Sequence, residues 1–248
     1  MKVQCVTQTG RIGDTLCAIP FILDLAKNHE VYVTGDFSSP VKDLCHGMPF
    51  VFADVIPEIE KEYVLNCQDA WRYSSNNGWK FHMAQSYFGI HGSPIPDIQP
   101  IQFCSHDCDL KPGLVISPFA VSDGHHLKRW AASCWIELIE KCKLRVPIYV
   151  IGAHEDDTEA YWNAGAIPIQ GWHLSSVLGL LKTCKCFVSI DTGTSHLAGL
   201  SGLKNHVHLY PSILPNNWVE YKTSNVLKAR SIQDISVERV YNAVCAWL

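Results

Sequence analysis

The sequence predicts an α/β protein made of two successive units, each a parallel sheet flanked by helices. Short apolar segments alternate with segments of helical period along the chain, as parallel sheets require. A proline-rich stretch without helical period, residues 92–113, interrupts this alternation. The length of 248 residues suits two domains of about 100–150 residues each. We therefore place the domains at residues 1–110 and 111–248.

The first domain opens with a strand, a glycine-containing turn and a helix. KVQCVTQ (2–8) reads as the strand, and apolar residues on one side of the following segment indicate the helix. Further strands are predicted at EVYVTG (30–35) and EYVLNC (62–67), and helices at VKDLCHGM (41–48) and WKFHMAQSYFGI (79–90).

The second domain repeats this alternation. Strands are predicted in GLVISPFA, VPIYVIGA, CFVSI and NHVHLYPS, and helices in ASCWIELIEKCK, SSVLGLLKTC, the segment after DTG, and SVERVYNAVCAWL. In the last of these, valines and a leucine recur at spacings of three to four residues. This spacing indicates a closing helix with one apolar face.

Composition excludes several classes of protein. A net charge of −4 without a basic stripe argues against a general binder of phosphate backbones. No run reaches the roughly 18–20 apolar residues of a membrane span, and the N-terminus lacks the apolar core of a secretory signal. Eleven cysteines, an odd number spread over the chain, indicate reduced thiols. We expect a cytoplasmic protein.

CSHDCD (104–109) is the only stretch that suggests a metal. It brings two cysteines, a histidine and an aspartate together, but no second Cys/His pair follows at zinc-finger spacing. We expect no metal site, and zinc at this stretch is the alternative.

VSIDTGTSHLAGLSG (188–202) is the most informative motif, because an apolar strand ends at Asp191 and a helix begins just after it. Gly193 allows a close backbone approach, and the hydroxyls, the helix N-terminus and His196 together suit a phosphate group. The alternative is that Asp191 and Thr194 only cap the helix.

A second strand-end loop, SPFAVSDGHHLKRWAASCW (117–135), delivers Lys128 and Arg129 just ahead of a helix. The alternative, favoured when this loop is taken alone, is that both residues are ordinary surface charges. Since both loops belong at the carboxyl edge of one sheet, where open α/β folds bind ligands, we favour an anion site.

RIGDTLCAIP, LKRWAASCWIELI and FVSIDTGTSHLAGLSG, in this order, resemble glycosyltransferase family 9, the heptosyltransferase-like enzymes. The resemblance implies a GT-B fold of two facing Rossmann-like domains, with the nucleotide-sugar donor mainly on the second and the acceptor mainly on the first. It also implies inverting transfer without an essential metal. No cofactor is expected beyond the donor, which is ADP-, UDP- or GDP-linked.

By this resemblance Asp14 is the general base, which takes the proton from the attacking acceptor hydroxyl. Gly13 keeps the approach open, and Arg11 is assigned to the acceptor side. The alternative is that Asp14 is an ordinary N-cap of the helix that follows.

The donor site implied by the resemblance also includes the loop after VPIYVIGA. Within the donor site, Lys128 has a catalytic role, because its ammonium stabilises the charge that develops on the leaving diphosphate. The full donor set is Gly13, Ser117, Lys128, Arg129, Gly152, Glu155, Asp191, Thr192, Gly193, Thr194 and His196.

The acceptor side is predicted from NCQDAWRYSSNNGWKFHMAQSYF, whose aromatic and amide side chains suit sugar or planar rings. Its candidates are Gln68, Tyr73, His82 and Gln85, and the alternative is that the aromatic residues Trp79, Phe81 and Tyr87 are core. The acceptor is a saccharide or another hydroxyl-bearing molecule, with nucleic acid left open. A first domain this short puts an acceptor as large as lipopolysaccharide core in doubt.

Three other interpretations stay open. DCD (107–109) matches the Asp-x-Asp motif of metal-dependent glycosyltransferases, but it lies in the linker and leaves the second-domain motifs unexplained. A non-catalytic nucleotide-sugar-binding protein and a nucleotide-sugar 2-epimerase share the same two-domain build. The presence of Asp14 favours the transferase over both.

Overall fold

The structure is a computed structural model that describes residues 1–9, 11–37, 39–54, 56, 58–120, 125–215 and 220–248. Met1–Cys104 forms most of one compact unit (unit 1), and Ser105–Pro215 with Tyr221–Leu248 forms the other (unit 2). The boundary between the units falls after Cys104, inside the proline-rich stretch. The sequence prediction placed it in the same stretch, after residue 110. Gly10, in the predicted first turn, lies outside the described residues.

Unit 1 contains a four-stranded sheet in the order β3-β2-β1-β4, in which every pair is parallel. Its strands are β1 (Lys2–Thr9), β2 (Glu30–Phe37), β3 (Phe50–Phe52) and β4 (Lys61–Leu65). Its helices are α1 (Ile12–Ala26), α2 (Ser39–Leu44), α3 (Cys67–Asn76) and α4 (Met83–Ile90). The sequence analysis did not include β3 and α3.

Helix α1 forms the centre of the unit 1 core. Its apolar residues recur at spacings of three and four, so that Leu16, Ile19 and Ile22 are fully buried. The Phe21 ring meets the edge of the Phe88 ring from α4 at a centroid distance of 5.2 Å. This packing holds α1 against α4 in the core of unit 1.

Unit 2 contains a six-stranded sheet in the order β10-β9-β8-β5-β6-β7, again parallel throughout. Its strands are β5 (Leu114–Ser117), β6 (Ile148–Gly152), β7 (Ile167–Gln170), β8 (Cys186–Ser189), β9 (His206–Pro211) and β10 (Asn225–Ala229). Its helices are α5 (His125–Lys128), α6 (Ala132–Cys142), α7 (Glu159–Ala164), α8 (Leu174–Thr183), α9 (Gly193–Leu200) and α10 (Val237–Cys245), with a 3-10 turn at Ile232–Asp234. The sequence analysis did not include β7, α7 and β10.

The strand orders identify both sheets as Rossmann-like. Counted within unit 2, the strands run 6-5-4-1-2-3, which is the order of a dinucleotide-binding sheet read from the other edge. Unit 1 has the corresponding 3-2-1-4 order. The predicted α/β class with parallel, helix-flanked sheets is confirmed.

Within the described ranges, none of the helices has the length and apolar character needed to cross a bilayer. All eleven cysteines lie in these ranges and are free thiols.

Candidate active site

The strand order of the unit 2 sheet reverses between β5 and β8. The strands that follow β5 extend the sheet on one side, and those that follow β8 extend it on the other. Open α/β sheets bind ligands outside the carboxyl ends of the strands at such a switch point. Ser117 ends β5, and Asp191 follows β8 by two residues. The two predicted donor loops therefore leave the sheet side by side.

Hydroxyl groups connect these two loops. Thr194 Oγ1 donates a hydrogen bond to Ser117 Oγ at 2.8 Å and shares a second one with Thr192 Oγ1, also at 2.8 Å. A chain of hydrogen bonds across the switch point thus connects three predicted donor residues, Ser117, Thr192 and Thr194.

Thr192 caps helix α9, which begins at Gly193. Its side chain accepts a hydrogen bond from the Ser195 N–H, and Ser195 Oγ accepts one in return from the Thr192 N–H. The alternative in which Asp191 and Thr194 cap this helix is therefore wrong. The first N–H groups of any helix have no partner inside it, so this end can hold an anion.

Asp191 is buried in an ion-paired cluster. Its Oδ2 lies 2.5 Å from Lys128 Nζ and its Oδ1 lies 3.4 Å from His196 Nε2, while only 6% of its side chain is exposed. Burial alone would raise the pKa of Asp191, but the Lys128 ammonium and the His196 imidazole offset it and hold that pKa well below its ordinary value. Asp191 is therefore an ionised carboxylate at neutral pH.

This cluster changes how the predicted donor residues are understood. Lys128 is not an ordinary surface charge, because only 20% of its side chain is exposed and its ammonium is paired. Asp191 would repel a diphosphate, since both are anionic, and its carboxylate instead orients Lys128 and His196. Orientation of Lys128 and His196 is thus the role that the structure shows for Asp191, and its contact with the donor stays a prediction.

Lys128 is held in place by the chain on its C-terminal side. Trp130 Nε1 donates to the Ile235 carbonyl at 2.8 Å, and the Ala131 N–H donates to Gln233 Oε1 at 3.1 Å. The Gln233 amide also donates to the Arg129 carbonyl. The Arg129 side chain itself is exposed, and its guanidinium lies 3.4 Å from the Ala120 carbonyl.

The predicted nucleoside edge lies at the end of β6. A Cβ on Gly152 would lie 3.2 Å from Asp156 Cβ and 3.3 Å from the Phe119 ring, so glycine fits this close approach. Asp156 accepts a hydrogen bond from the Ala153 N–H at 2.7 Å, and it thereby orders the loop. Glu155 is exposed beside it, which leaves its carboxylate facing solvent.

Unit 1 has its own switch point, between β1 and β4. Asp14 is the third residue of α1 and is half-buried, and the N-cap of this helix is Arg11, whose side chain makes no capping hydrogen bond. The alternative in which Asp14 is an N-cap is therefore wrong. Gly13, also half-buried, precedes it in the same turn.

Cys67 is a neighbour of Asp14 that the sequence analysis missed. It is the first residue of α3, after β4, and burial raises the pKa of its thiol, as does a hydrogen bond to the Asp14 carboxylate. The neighbouring Asn66 amide donates to Gln8 Oε1 at 2.8 Å and so connects the ends of the two strands. The contact between Cys67 and Asp14 becomes evident only from the strand order, which places β4 beside β1.

Two of the predicted acceptor residues have a structural role. His82 is the buried N-cap of α4, and its Nδ1 accepts from the Ala84 N–H, while Gln85 Oε1 accepts from the His82 N–H. Gln85 also donates to the Pro96 carbonyl. The helix cap is the role that the structure shows for His82 and Gln85, and their contact with an acceptor stays a prediction. The spacing of three residues to Gln85 was an available signal for the cap.

The other predicted acceptor residues differ in exposure. Gln68 and Arg11 are exposed, and Tyr73 is half-buried with its ring in the space where Gly89 has no side chain. Tyr87 is fully buried, as the core alternative for it predicts, whereas Trp79 and Phe81 are half-buried.

Buried histidines line the sheet beside the Asp191 cluster, and the sequence analysis missed them. His206 and His208 lie two residues apart on β9 with their rings stacked at 5.5 Å. His206 contacts the Ser189 and Ser224 hydroxyls at 2.8 Å each. Neither ring nitrogen of His208 has a hydrogen-bond partner among the described residues. Burial lowers the pKa of both histidines, that of His208 to about 4.

Across the ranges that the structure describes, no three His, Cys, Asp or Glu side chains are grouped so that they could hold a metal ion. Cys104, Cys108 and their neighbours in CSHDCD do not form such a group.

Comparison with solved structures shows the fold. TibC from enterotoxigenic E. coli H10407, described as an iron-containing dodecameric glycosyltransferase, is 16% identical with a TM-score of 0.75 over 99% of this chain and 75% of its own. A glycosyltransferase family 9 protein from Veillonella parvula is 13% identical with a TM-score of 0.73, over 99% and 96% of the two chains. E. coli heptosyltransferase WaaC with ADP is 15% identical with a TM-score of 0.67 over the whole of both chains. These neighbours have the GT-B fold.

No curated protein sequence matches this chain. The model of glycosyltransferase family 9 (heptosyltransferase) matches residues 97–227, which is more than half of the chain and includes the Lys128 loop and the whole of α9. The protein is therefore a glycosyltransferase of family 9, the heptosyltransferase family.

Proposed function

We propose that the protein transfers a sugar, with inversion and without a metal, from a nucleotide-sugar donor to an acceptor hydroxyl. The observation that carries this proposal is the buried cluster at the unit 2 switch point, where Asp191 holds Lys128 and His196 beside the N-terminus of α9. A leaving nucleoside diphosphate builds up negative charge, and the prearranged Lys128 ammonium and the N-terminus of α9 stabilise it.

Lys128 and the first N–H groups of α9 take the role that a divalent cation has in other glycosyltransferases. A helix N-terminus favours anions through its unpaired N–H groups and its dipole, and the ammonium adds a full charge. Ser117, Thr192 and Thr194 border this position with hydroxyls that can donate to phosphate oxygens. Metal independence follows from this arrangement as part of the proposal.

Asp14 is the proposed general base. It lies in the first turn after β1, half-buried, at the switch point where α/β sheets bind ligands. A carboxylate in this position takes the proton of an acceptor hydroxyl as that oxygen attacks the anomeric carbon. Attack from the face opposite the leaving diphosphate inverts the anomeric configuration. Gly13 and the exposed Arg11 and Gln68 are the proposed surroundings of the acceptor.

The donor class is proposed from the solved neighbours. WaaC has been solved with ADP and with ADP-2-deoxy-2-fluoro heptose, and TibC in complex with ADP-D-beta-D-heptose. We propose an ADP-linked sugar as the first donor to test, with UDP- and GDP-linked sugars as competitors. The nucleoside lies at the loop after β6, where Gly152 allows close approach and Glu155 offers a carboxylate to ribose hydroxyls.

The decisive experiment measures donor binding and transfer separately. Thermal stabilisation by ADP-, UDP- and GDP-sugars identifies the donor, and acceptor-dependent release of the nucleoside diphosphate then reports transfer. We expect Lys128→Ala to weaken diphosphate binding while Lys143→Ala, on the far end of α6, leaves it unchanged. Unchanged affinity in the folded Lys128→Ala variant would remove the anion site.

Two controls separate the alternatives. Turnover that persists in EDTA supports metal independence, whereas loss with EDTA and recovery with manganese would return the DCD segment to consideration. Donor binding without any acceptor-dependent release indicates a binding protein, and conversion of the donor sugar without an acceptor indicates an epimerase.

A further inference from the structure

The His196 ring has a partner on each of its two nitrogens. Its Nε2 lies 3.4 Å from Asp191 Oδ1, and its Nδ1 lies 2.8 Å from the Tyr221 hydroxyl. His196 and Tyr221 are both buried. Tyr221 lies 25 residues beyond His196 in the chain and outside the three sequence motifs that carry the resemblance. Its hydroxyl is therefore a specific partner of His196, brought there by the fold.

Gly199 makes room for Tyr221. It follows His196 by three residues on α9, so the two positions lie on the same face of the helix. A Cβ at Gly199 would lie 2.0 Å from Tyr221 Cδ2 and 2.1 Å from its Cγ, which is far inside van der Waals contact. The Tyr221 ring thus occupies the space that a side chain at position 199 would need, and it meets the His196 ring edge-on at 5.9 Å.

The Asp191 carboxylate decides where the ring proton of His196 stands, because a carboxylate can only accept whereas the Tyr221 hydroxyl can donate or accept. With the proton on Nε2, it faces Asp191, and the phenol donates to Nδ1. The opposite tautomer would place the Nε2 lone pair against that carboxylate, and the two would repel each other. Without the hydroxyl, the ring would keep its Nε2–H form but lose the hydrogen bond on Nδ1, one of the two that hold its orientation.

We propose that Tyr221, seated against Gly199, is a positioning residue of the donor site. Its hydroxyl keeps the His196 ring in the orientation that directs Nε2–H at Asp191, and Asp191 in turn holds the Lys128 ammonium. Charged and titratable groups around this site include Asp191, Lys128, Lys228, and the buried His206 and His208 on β9. The consequence for catalysis rests on the proposed function, whereas the hydrogen bond to His196 does not.

The test compares Tyr221→Phe with Tyr149→Phe. The control also removes one phenol hydrogen bond from a buried tyrosine of unit 2, the bond to the Lys111 carbonyl at 2.9 Å. Nitrogen-15 NMR of the imidazoles, with His196 assigned by its absence in His196→Gln, reads the tautomer and the hydrogen bonding of Nδ1 at pH 7.5. We expect the Nε2–H form in all three proteins, and a downfield shift of the unprotonated Nδ1 in Tyr221→Phe alone, because only that variant removes the hydrogen bond that Nδ1 accepts.

The second readout is affinity for ADP, UDP and GDP by calorimetry, together with the kinetics of transfer. We expect Tyr221→Phe to lower diphosphate affinity and raise the donor KM by about two- to tenfold, the range of one hydrogen bond, with kcat less affected. Gly199→Ala should shift the Nδ1 resonance in the same direction, because it displaces the Tyr221 ring.

Three outcomes overturn the proposal: an Nδ1–H His196 in the wild type, an unchanged Nδ1 resonance in folded Tyr221→Phe, or equal effects of the two tyrosine variants. Absence of transfer in the wild type overturns the proposed function but leaves the NMR result to judge Tyr221 by itself.

Discussion

The two sheets each carry an aspartate at the switch point, and the surroundings of the two residues differ sharply. Asp14, in the first turn of α1, is half-buried, and its carboxylate forms a hydrogen bond with the Cys67 thiol across the switch point. Asp191, just before α9, is buried and paired with Lys128 and His196. A carboxylate held beside a cation stays ionised and cannot take up a proton easily. The aspartate in unit 2 thus suits charge placement, whereas proton transfer by the aspartate in unit 1 belongs to the proposed mechanism.

The first prediction tests this contrast where the expected effect is largest. Asp14→Asn should reduce transfer by about 10²- to 10⁴-fold, because the amide keeps the size of the side chain but cannot act as a general base. Stability should fall by at most about 1 kcal/mol, through the loss of a charge near the helix N-terminus. Release of nucleoside diphosphate, measured at matched folded fraction, checks the first value, and urea unfolding checks the second.

Donor affinity of Asp14→Asn should equal that of the wild type. Turnover within about threefold of the wild type would exclude Asp14 as the base, since that is far below the general-base range.

The same substitution in unit 2 should have the opposite signature. Asp191→Asn leaves the Lys128 ammonium without its counter-charge, and breaking a buried ion pair costs about 3–5 kcal/mol. We expect the lower end of that range, about 3 kcal/mol, because Lys128 keeps 20% of its side chain in water. Urea unfolding measures the loss, and calorimetry with nucleoside diphosphates measures the accompanying loss of affinity.

Asp24→Asn is the matched control for Asp191→Asn, since Asp24 pairs with Lys27 on the exposed surface of α1. It should change stability by well under 1 kcal/mol. Equal effects of the two variants would show that burial of the Asp191 pair has no energetic consequence.

The third prediction concerns pH and extends the contrast to the histidines behind Asp191. Their pKa values are lowered in the folded state, so they stabilise the fold above the unfolded value of about 6.5, and this contribution is lost as pH falls through the folded value. For His208, with a folded pKa of about 4, the loss between pH 7.5 and 4.5 is about 2–3 kcal/mol. Asp191 contributes nothing to this window, because its contribution is lost only below about pH 3.9.

Urea unfolding at several pH values checks this prediction. His208→Leu should flatten the dependence of unfolding free energy on pH, whereas His46→Leu, at an exposed position, should leave its slope unchanged. A slope that is the same in His208→Leu and the wild type would contradict it.

The smallest expected effect is on stability, and it comes from the difference between the N-caps of α1 and α9. Thr192→Ala removes the side-chain cap of α9 and should cost about 1 kcal/mol of stability. Arg11→Ala should leave helix capping unaffected, because the Arg11 side chain makes no cap hydrogen bond to α1. Thermal unfolding of both variants measures the difference, and equal values would show that the Thr192 cap contributes nothing.

The sequence was informative wherever a local pattern decides the structure. Alternating apolar segments were sufficient for the parallel α/β class, and DTGTSH was sufficient to place a helix start after a strand. The short elements β3 and β7 were missed, because three or four residues carry too little periodicity.

The pairing inside the site was beyond sequence reasoning. Lys128 and Asp191 meet because β8 inserts beside β5, although three strands and three helices lie between the two residues in the chain. His206 and His208 had the alternation of a half-exposed strand, yet both are buried because helices cover this parallel sheet on both faces. Tyr221 has no motif at all, and only the gap at Gly199 explains its position.

The attachment of Trp130 and Ala131 to Ile235 and Gln233 has a consequence for the order of events during synthesis. These hydrogen bonds join residues more than 100 positions apart, and they fix the segment that carries Lys128. Chains emerge from the ribosome from the N-terminus at about 5–20 residues per second. The Lys128 segment is therefore made several seconds before its anchors exist. A nascent chain stalled before Gln233 should already contain every predicted donor residue and still bind nucleoside diphosphates poorly.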